Sequence, residues 1–301
     1  MSRTAADALR AAQHRLAVRG IPATDALELV SRLLGVTRAE LRLEPQRALS
    51  DERSLTLDAW IERRLAGEPV QYITGRAAFR SLDLAVDGRV LVPRPETEGL
   101  VEAVLGILRV QRERWAHPRV LDLGTGSGAI ALAIASEWPT ARLTATDASP
   151  DALALAQQNA QSTGFAGRIE FAQGDWFDAV PADDRFEVIV SNPPYIANGE
   201  WDDLADEVRR FEPHAALFAG TSGLEALREI IEGAPRRLVT GGLLALELAE
   251  SRASEVAAWL DGAHDWSDVE VRDDLSGQPR VLLARRERGP AIAPLQWREE
   301  N

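Results

Sequence analysis

The chain of 301 residues contains no cysteine, and its 34 basic residues are all arginine, because lysine is absent as well. Without cysteine there is no disulfide framework, no thiolate nucleophile and no Cys-ligated zinc or iron–sulfur centre. Without lysine there is no Schiff-base chemistry, no kinase-type lysine and no Walker A lysine. Histidine is scarce: His14, His117, His214 and His264 are too scattered to suggest a metal site, and none is expected. No apolar run reaches the roughly 18 residues that mark a membrane span. Residues 1–10 lack the basic-then-apolar layout of a signal peptide, so a cytoplasmic location is expected, with no membrane partner.

What is present is ordinary in bulk and uneven in detail. Apolar residues make up 45% and charged residues 27%, which argues against disorder, and the length suits one large domain or a compact domain plus a smaller one. The formal net charge is −13, but residues 1–80 carry a net +3 and the remainder −16. Such an asymmetry fits either a near-neutral helical cap on an acidic domain or a first segment that meets an anionic partner.

The pattern of the first 75 residues is helical. Leu9, Leu16, Ala26, Leu29, Val30, Leu33 and Leu34 recur at helical spacing, Thr24 reads as an N-cap, and a further helix is expected over 51–65 before Gly67 and Pro69 stop it. Phe79, Leu82, Leu84 and Val86 then lean toward period two, and Asp87-Gly88 reads as a hairpin turn before Val90, Leu91 and Val92. From residue 97 onward, helical and strand patterns alternate, with strands expected near 120–123, 142–146, 169–172, 186–190, 243–248, 269–272 and 280–284. The expected organisation is a helical domain over 1–75, a β-hairpin linker over 76–96, a domain over 97–285 and a flexible tail over 286–301. The alternation predicts an α/β fold with a doubly wound, mostly parallel sheet.

Two segments carry chemistry. Gly124-Thr125-Gly126-Ser127-Gly128 follows the strand Val120-Leu121-Asp122-Leu123 and precedes a helix. Glycines let a backbone bend sharply and approach a ligand, and the helix start offers unpaired N–H groups. Asp147, at the end of the next strand, can accept both hydroxyls of an adenosine ribose. Together they specify a nucleoside cofactor. The G-x-G-x-G spacing is not the dinucleotide G-x-G-x-x-G, yet by itself it leaves open a dehydrogenase or a glycine turn without ligand.

The second segment is Asn192-Pro193-Pro194-Tyr195, which ends the fourth parallel strand. A planar –NH2 is a poor nucleophile because its lone pair is delocalised. Two acceptors that hold its two hydrogens steer the nitrogen toward tetrahedral geometry, and the Asn192 side-chain oxygen and the Pro193 carbonyl are such a pair. Tyr195 can pack flat against the planar group. With an activated sulfonium methyl as electrophile, orientation supplies much of the catalysis. A rigid proline turn without function is the alternative.

These blocks resemble the release-factor glutamine N5-methyltransferases, the HemK/PrmC family of class I S-adenosylmethionine-dependent methyltransferases, over roughly residues 5–285. Glu68-Pro69-Val70-Gln71-Tyr72-Ile73-Thr74-Gly75, Val92-Pro93-Arg94-Pro95-Glu96-Thr97-Glu98 and Phe211-Glu212-Pro213 belong to the match. The resemblance implies a seven-stranded class I sheet, S-adenosylmethionine as cofactor with S-adenosylhomocysteine as product, and class I peptide chain release factors as partners. It implies transfer of a methyl group to the side-chain amide nitrogen of the glutamine in their Gly-Gly-Gln motif. The glycine loop Gly124, Thr125, Gly126, Ser127 and Gly128 would hold the methionyl part, Asp147 the ribose, and Asp175 and Trp176 the adenine. Asn192 would touch cofactor and substrate, while Pro193, Pro194 and Tyr195 frame the glutamine amide, with Asn192, Pro193 and Tyr195 as the catalytic set. Arg94 and Glu96 are expected to brace the site, and the helical domain to help grip the partner.

The chain also departs from the family pattern. Ala249 and Ser251 stand where a Gly and a Gln are expected after Glu247, and Phe79-Arg80 replaces an aromatic-Trp pair. Two other substrates compete. A DNA amino-methyltransferase needs a basic groove, which the acidic segment lacks, so no direct nucleic-acid contact is expected. A ribosomal-protein glutamine methyltransferase is disfavoured by the block from Arg94 to Glu98.

Overall fold

In a computed structural model, residues 3–287 are described and form two compact units. The first unit comprises the residues up to Arg76 together with Val86–Gly88 and Leu204–Phe211. Its helices are α1 (Ala5–Ala17), α2 (Ala23–Leu34), α3 (Arg38–Leu43), α4 (Asp51–Leu65) and α5 (Val70–Thr74). Reciprocal capping boxes start two of them: Thr4 with Asp7 at α1, and Thr37 with Glu40 at α3. Thr24 is not a cap. Helix α2 begins one residue earlier, directly after Pro22, whose fixed φ of −59° leads the chain into the helix and leaves Thr24 in its first turn. The core of this unit is built by Ala8, Ala12, Leu16, Leu29, Val30, Leu57 and Ile61. The short helix Asp206–Phe211, far along the chain, joins it: Glu207 pairs with Arg64 at 2.7 Å and Arg210 donates to the Ala66 carbonyl at 3.0 Å.

A β-hairpin of β1 (Arg76–Phe79) and β2 (Leu82–Ala85) follows the helices. Its turn lies at Arg80-Ser81, not at Asp87-Gly88, and residues 90–92 form no strand. Arg80 adopts φ +50°, a left-handed conformation unusual for a long side chain. Carboxylates hold it there. Its N–H donates to Glu98 at 2.8 Å, and its guanidinium pairs with Glu137 and, at 2.9 Å, with Glu102. Those bonds, led by the one to Glu137, raise the Arg80 pKa and keep the side chain charged. Arg80 thus fixes the hairpin by ion pairs.

The second unit is a doubly wound α/β layer structure. Its helices are α6 (Pro95–Val110), α7 (Ala129–Glu137), α8 (Pro150–Thr163), then, past the short helix above (α9), α10 (Glu225–Arg237) and α11 (Glu250–Asp261). Its strands are β3 (Arg119–Leu123), β4 (Arg142–Asp147), β5 (Ile169–Gln173), β6 (Phe186–Ser191), β7 (Leu238–Glu247), β8 (Trp266–Asp273) and β9 (Pro279–Arg286), in the spatial order β5-β4-β3-β6-β7-β9-β8. β3 to β7 run parallel, and β9 is antiparallel to both neighbours. Alternate residues feed opposite faces: Val120, Val188, Val190 and Leu243 enter one core, Leu121, Ile189 and Leu244 the other. The order reverses at β3, whose neighbours β4 and β6 lie on opposite sides, so the crevice at the carboxyl ends of these strands is the topological switch point. Arg286 is the last residue of β9 and Glu287 donates to the Asp265 carbonyl at 2.8 Å, so the expected tail does not begin at 286; residues 288–301 lie outside the described residues.

Candidate active site

The glycine loop leaves β3 in a conformation only glycine adopts freely. Gly124, Gly126 and Gly128 have φ of +68°, +54° and +83°. At Gly128 a Cβ would lie 3.1 Å from Leu132 and 3.3 Å from Ala156, so this glycine serves the packing of α7 against α8. Asp122 anchors the loop from below: one oxygen accepts from the Thr125 hydroxyl at 2.6 Å and from the Ala131 N–H at 3.2 Å. Its other oxygen is buried without a partner among the described residues. Burial pushes the Asp122 pKa up to about 7, with the nearby Asp147 charge adding to the rise.

Asp147 ends β4 and faces the same loop. Its two oxygens each accept a backbone N–H, from Gly126 at 2.9 Å and from Ser149 at 2.9 Å. Burial raises its pKa, and these two bonds oppose the rise. Past β5, Trp176 takes φ +40°, in the left-handed region that side chains rarely adopt. Its ring lies 3.6 Å from where a Cβ on Gly124 would be, an ordinary contact distance, so it is the positive φ that calls for glycine there.

The fourth parallel strand, β6, delivers Asn192. Ser191 donates to the Leu123 carbonyl at 2.7 Å, joining the ends of β6 and β3 just before the motif. The Asn192 side-chain nitrogen donates to the Thr97 hydroxyl at 3.1 Å. Beyond the two prolines, Ile196 exchanges backbone hydrogen bonds with the segment around Phe218, and a Cβ on Gly223 would fall 2.7 Å from the Tyr195 carbonyl. Burial lifts the Tyr195 pKa to about 12, with the Glu247 charge adding to it, so the phenol stays protonated. Arg94 donates to the fully buried Glu212 carboxylate at 2.6 Å.

These groups surround a cavity of about 490 Å³, within the range of small-ligand sites. Gly124, Thr125, Gly126, Ser127, Asp147, Asp175, Trp176, Asn192 and Pro194 line it. Gly128, Pro193 and Tyr195 do not: Gly128 is turned into the helix packing, Pro193 is buried, and the Tyr195 ring packs on the sheet's second core. Sequence reasoning missed Thr97, Phe218, Glu225 and Glu229, which also line the cavity. One carried a readable signal. Ser222-x-x-Glu225 has the spacing of a capping box, but Glu225 is the first residue of α10 and the reciprocal bond is missing; its carboxylate accepts from the Ser222 and Leu224 N–H groups at 2.9 and 3.0 Å. Burial works against ionisation of Glu225, yet these backbone donors hold its pKa down at about 2.

Fold and site define a methyltransferase of class I architecture. A family model described as "PrmC N-terminal domain" matches residues 7–75, and one described as "Methyltransferase small domain" matches residues 104–211. A release factor glutamine methyltransferase of Cereibacter sphaeroides is 44% identical over 93% of this chain and 98% of its own length. One of Bordetella pertussis is 43% identical over 88% of this chain and 96% of its own. A solved methyltransferase from Pyrococcus furiosus, 19% identical, superposes with a TM-score of 0.50 over 75% of this chain and 97% of its own, a likeness of fold. The chain belongs to the release factor glutamine methyltransferase family. No helix among the described residues is long and apolar enough to cross a membrane.

Proposed function

We infer that the protein transfers a methyl group from S-adenosylmethionine to the side-chain amide nitrogen of the glutamine in the Gly-Gly-Gln motif of class I release factors, in the cytoplasm. The observation that carries this reading is the Asn192 amide at the edge of the cavity that also holds the glycine loop and Asp147. The donor set fits such a cosubstrate. Each Asp147 oxygen is engaged by a single N–H, which leaves lone pairs for a ribose diol. Gly126 carries no Cβ where the loop borders the cavity, and the Trp176 indole supplies a flat apolar face. Gly124, Thr125, Gly126 and Ser127 would hold the methionyl part, with Gly128 closing the loop onto its helix, and Asp175 and Trp176 the adenine.

When bound, the cosubstrate supplies a methyl already activated on a sulfonium sulfur. The chain's own task is then orientation. The Asn192 carbonyl oxygen and the Pro193 backbone carbonyl accept the two amide hydrogens of the glutamine and hold its nitrogen in line. Pro194 and Tyr195 frame the flat group, and the high Tyr195 pKa makes that side chain a neutral wall rather than a base. Fixing two reactants in this way supplies several kcal/mol toward the barrier; the S–CH3 bond pair returns to sulfur, and the methylated nitrogen, now strongly acidic, loses one proton to solvent, so no metal and no strong base is required. The test is mass spectrometry of a class I release factor incubated with the protein and S-adenosylmethionine. A gain of one methylene on the Gly-Gly-Gln peptide, absent when that glutamine is replaced by glutamate, supports the reading. Methylation of DNA or of a ribosomal protein instead overturns it.

A further inference from the structure

Three aromatic rings stand together outside the cores. Trp201 lies on the short 3-10 turn Asn198–Asp203, His214 opens the next such turn, His214–Ala216, and Phe218 follows it. The His214 and Phe218 rings stack with centroids 4.1 Å apart and planes 20° apart. The Trp201 ring lies 5.3 Å from Phe218 and 5.7 Å from His214. Neither Trp201 nor Phe218 packs into a hydrophobic core of the described residues, and His214 is exposed. Rings that hold one another at a surface add little to a core, and such a patch points to something that covers it.

The stack is built onto the candidate active site. Ile196, the residue after Tyr195, forms a parallel bridge with Phe218. Its N–H donates to the Leu217 carbonyl at 3.0 Å, and its carbonyl accepts from the Ala219 N–H at 3.0 Å. Phe218 lines the same cavity as Asn192, so the rings continue the cavity wall beside the motif. The other rings are pinned by their own segments. Next to Trp201, the Glu200 carboxylate accepts from the Ala197 N–H at 2.9 Å and from Arg252 on α11 at 2.9 Å. The His214 carbonyl accepts from the Phe218 N–H at 3.1 Å. The patch is therefore formed before any partner arrives, which keeps the entropy cost of binding low.

The flatness of the patch selects its occupant. Backbone without side chains covers a flat aromatic face best, because glycine lets the main chain approach a ring closely and turn its Cα–H bonds toward it. In the reading above, the glutamine whose amide reaches Asn192 follows two glycines. Two extended residues span about 7 Å, the same scale as the 5.3 and 5.7 Å that separate Trp201 from the other two rings. We propose that Trp201, His214 and Phe218 form a platform that carries the glycine pair preceding the target glutamine, and so selects a substrate loop with no side chains at those two positions. The proposal rests on the reading of a Gly-Gly-Gln loop as substrate. The rings touch no reacting atom; they hold the peptide while Asn192 aims the amide.

The experiment compares Trp201→Ala, Trp201→Phe and His214→Ala with the wild-type chain. Two substrates are used: a class I release factor, and the same factor with both glycines of its Gly-Gly-Gln motif replaced by alanine. The measurements are kcat and KM for methylation, S-adenosylhomocysteine affinity by calorimetry, and the Kd of each factor for the protein saturated with S-adenosylhomocysteine. Trp201→Ala and His214→Ala are expected to raise KM and Kd for the unaltered factor about tenfold, the size of one lost aromatic contact, with kcat and S-adenosylhomocysteine affinity unchanged. Trp201→Phe, which keeps a ring, should restore both constants. Wild type should bind the alanine-bearing factor about tenfold more weakly than the unaltered one, and Trp201→Ala should bind the two alike. Wild-type KM and Kd in both alanine variants overturn the proposal. So does a preference for the glycines that survives in them undiminished, or a loss of S-adenosylhomocysteine affinity, which would assign the rings to the cosubstrate. Should Trp201→Ala fail to fold, His214→Ala decides alone. A wild-type protein that binds the release factor without methylating it refutes the functional reading, and the Kd comparison still decides the platform; no binding by wild type overturns both.

Discussion

Trp176 shows how a single residue carries structural tension for a purpose. A tryptophan at φ +40° is unfavourable on its own, so the surrounding structure must hold it there. Its ring borders both the glycine loop and the cavity. Trp176→Ala is expected to weaken S-adenosylmethionine binding by about tenfold to a hundredfold, since stacking of a base on an aromatic ring contributes about 1–3 kcal/mol. Calorimetric titration checks this, and unchanged affinity would remove the indole from the binding site. At this scale the sequence was most legible where function sits in consecutive letters. The glycine loop and Asn192-Pro193-Pro194-Tyr195 could be read because a strand end concentrates them in a few positions. Thr97 and Glu229 could not, because only folding brings residues this far apart in the chain to one cavity.

Among the elements, the hairpin and α8 are joined by one side chain. Asn159, fully buried on α8, accepts from the Ala85 N–H at 2.7 Å and donates to the Ala85 and Ser127 carbonyls at 3.0 and 2.9 Å. It thus ties β2 to the glycine loop, and Asn159→Leu would leave those backbone groups buried without partners. The expected loss is about 2–4 kcal/mol of stability, measured by urea unfolding, because each orphaned buried polar group costs about 1–3 kcal/mol. A loss under about 0.5 kcal/mol would show that water satisfies the site. The strands and helices of the parallel sheet were legible from alternation, since a strand buried on both faces is a short apolar run between helical patterns. The hairpin turn was misread because Asp87-Gly88 has strong turn chemistry, whereas the actual turn at Arg80 is stabilised by Glu98, Glu102 and Glu137 from distant positions. No local pattern announces that Asp206–Phe211 belongs with the helical unit, because Arg64 and Ala66, which hold it, lie far away in the chain.

Across the whole molecule, acidity and burial combine to set how stability responds to pH. Burial raises Asp122 from 3.8 and Glu247 from 4.5 to about 7 each. The folded chain therefore holds protons that the unfolded chain releases between about pH 4 and pH 7. These two groups favour the fold at low pH, and that contribution is lost as pH rises through about 7. Replacing Asp122 with Asn removes one of the two titrations. The melting temperature of Asp122→Asn minus that of wild type should accordingly become more positive from about pH 5 to about pH 8. A difference that stays constant over that interval would mean that Asp122 titrates normally.

The net −16 of the chain beyond residue 80 argues against a polyanionic substrate, which leaves the protein amide as the target and Asn192 as the residue that aims it. Single-turnover methylation of a release factor by Asn192→Ala, with cosubstrate affinity measured alongside, tests this account most directly. The account requires a rate on the order of 10²–10³-fold below wild type, the size of effect seen when a preorganised hydrogen-bonding group is removed from a reaction centre, with affinity for S-adenosylmethionine within a few-fold. Transfer at close to the wild-type rate would contradict it.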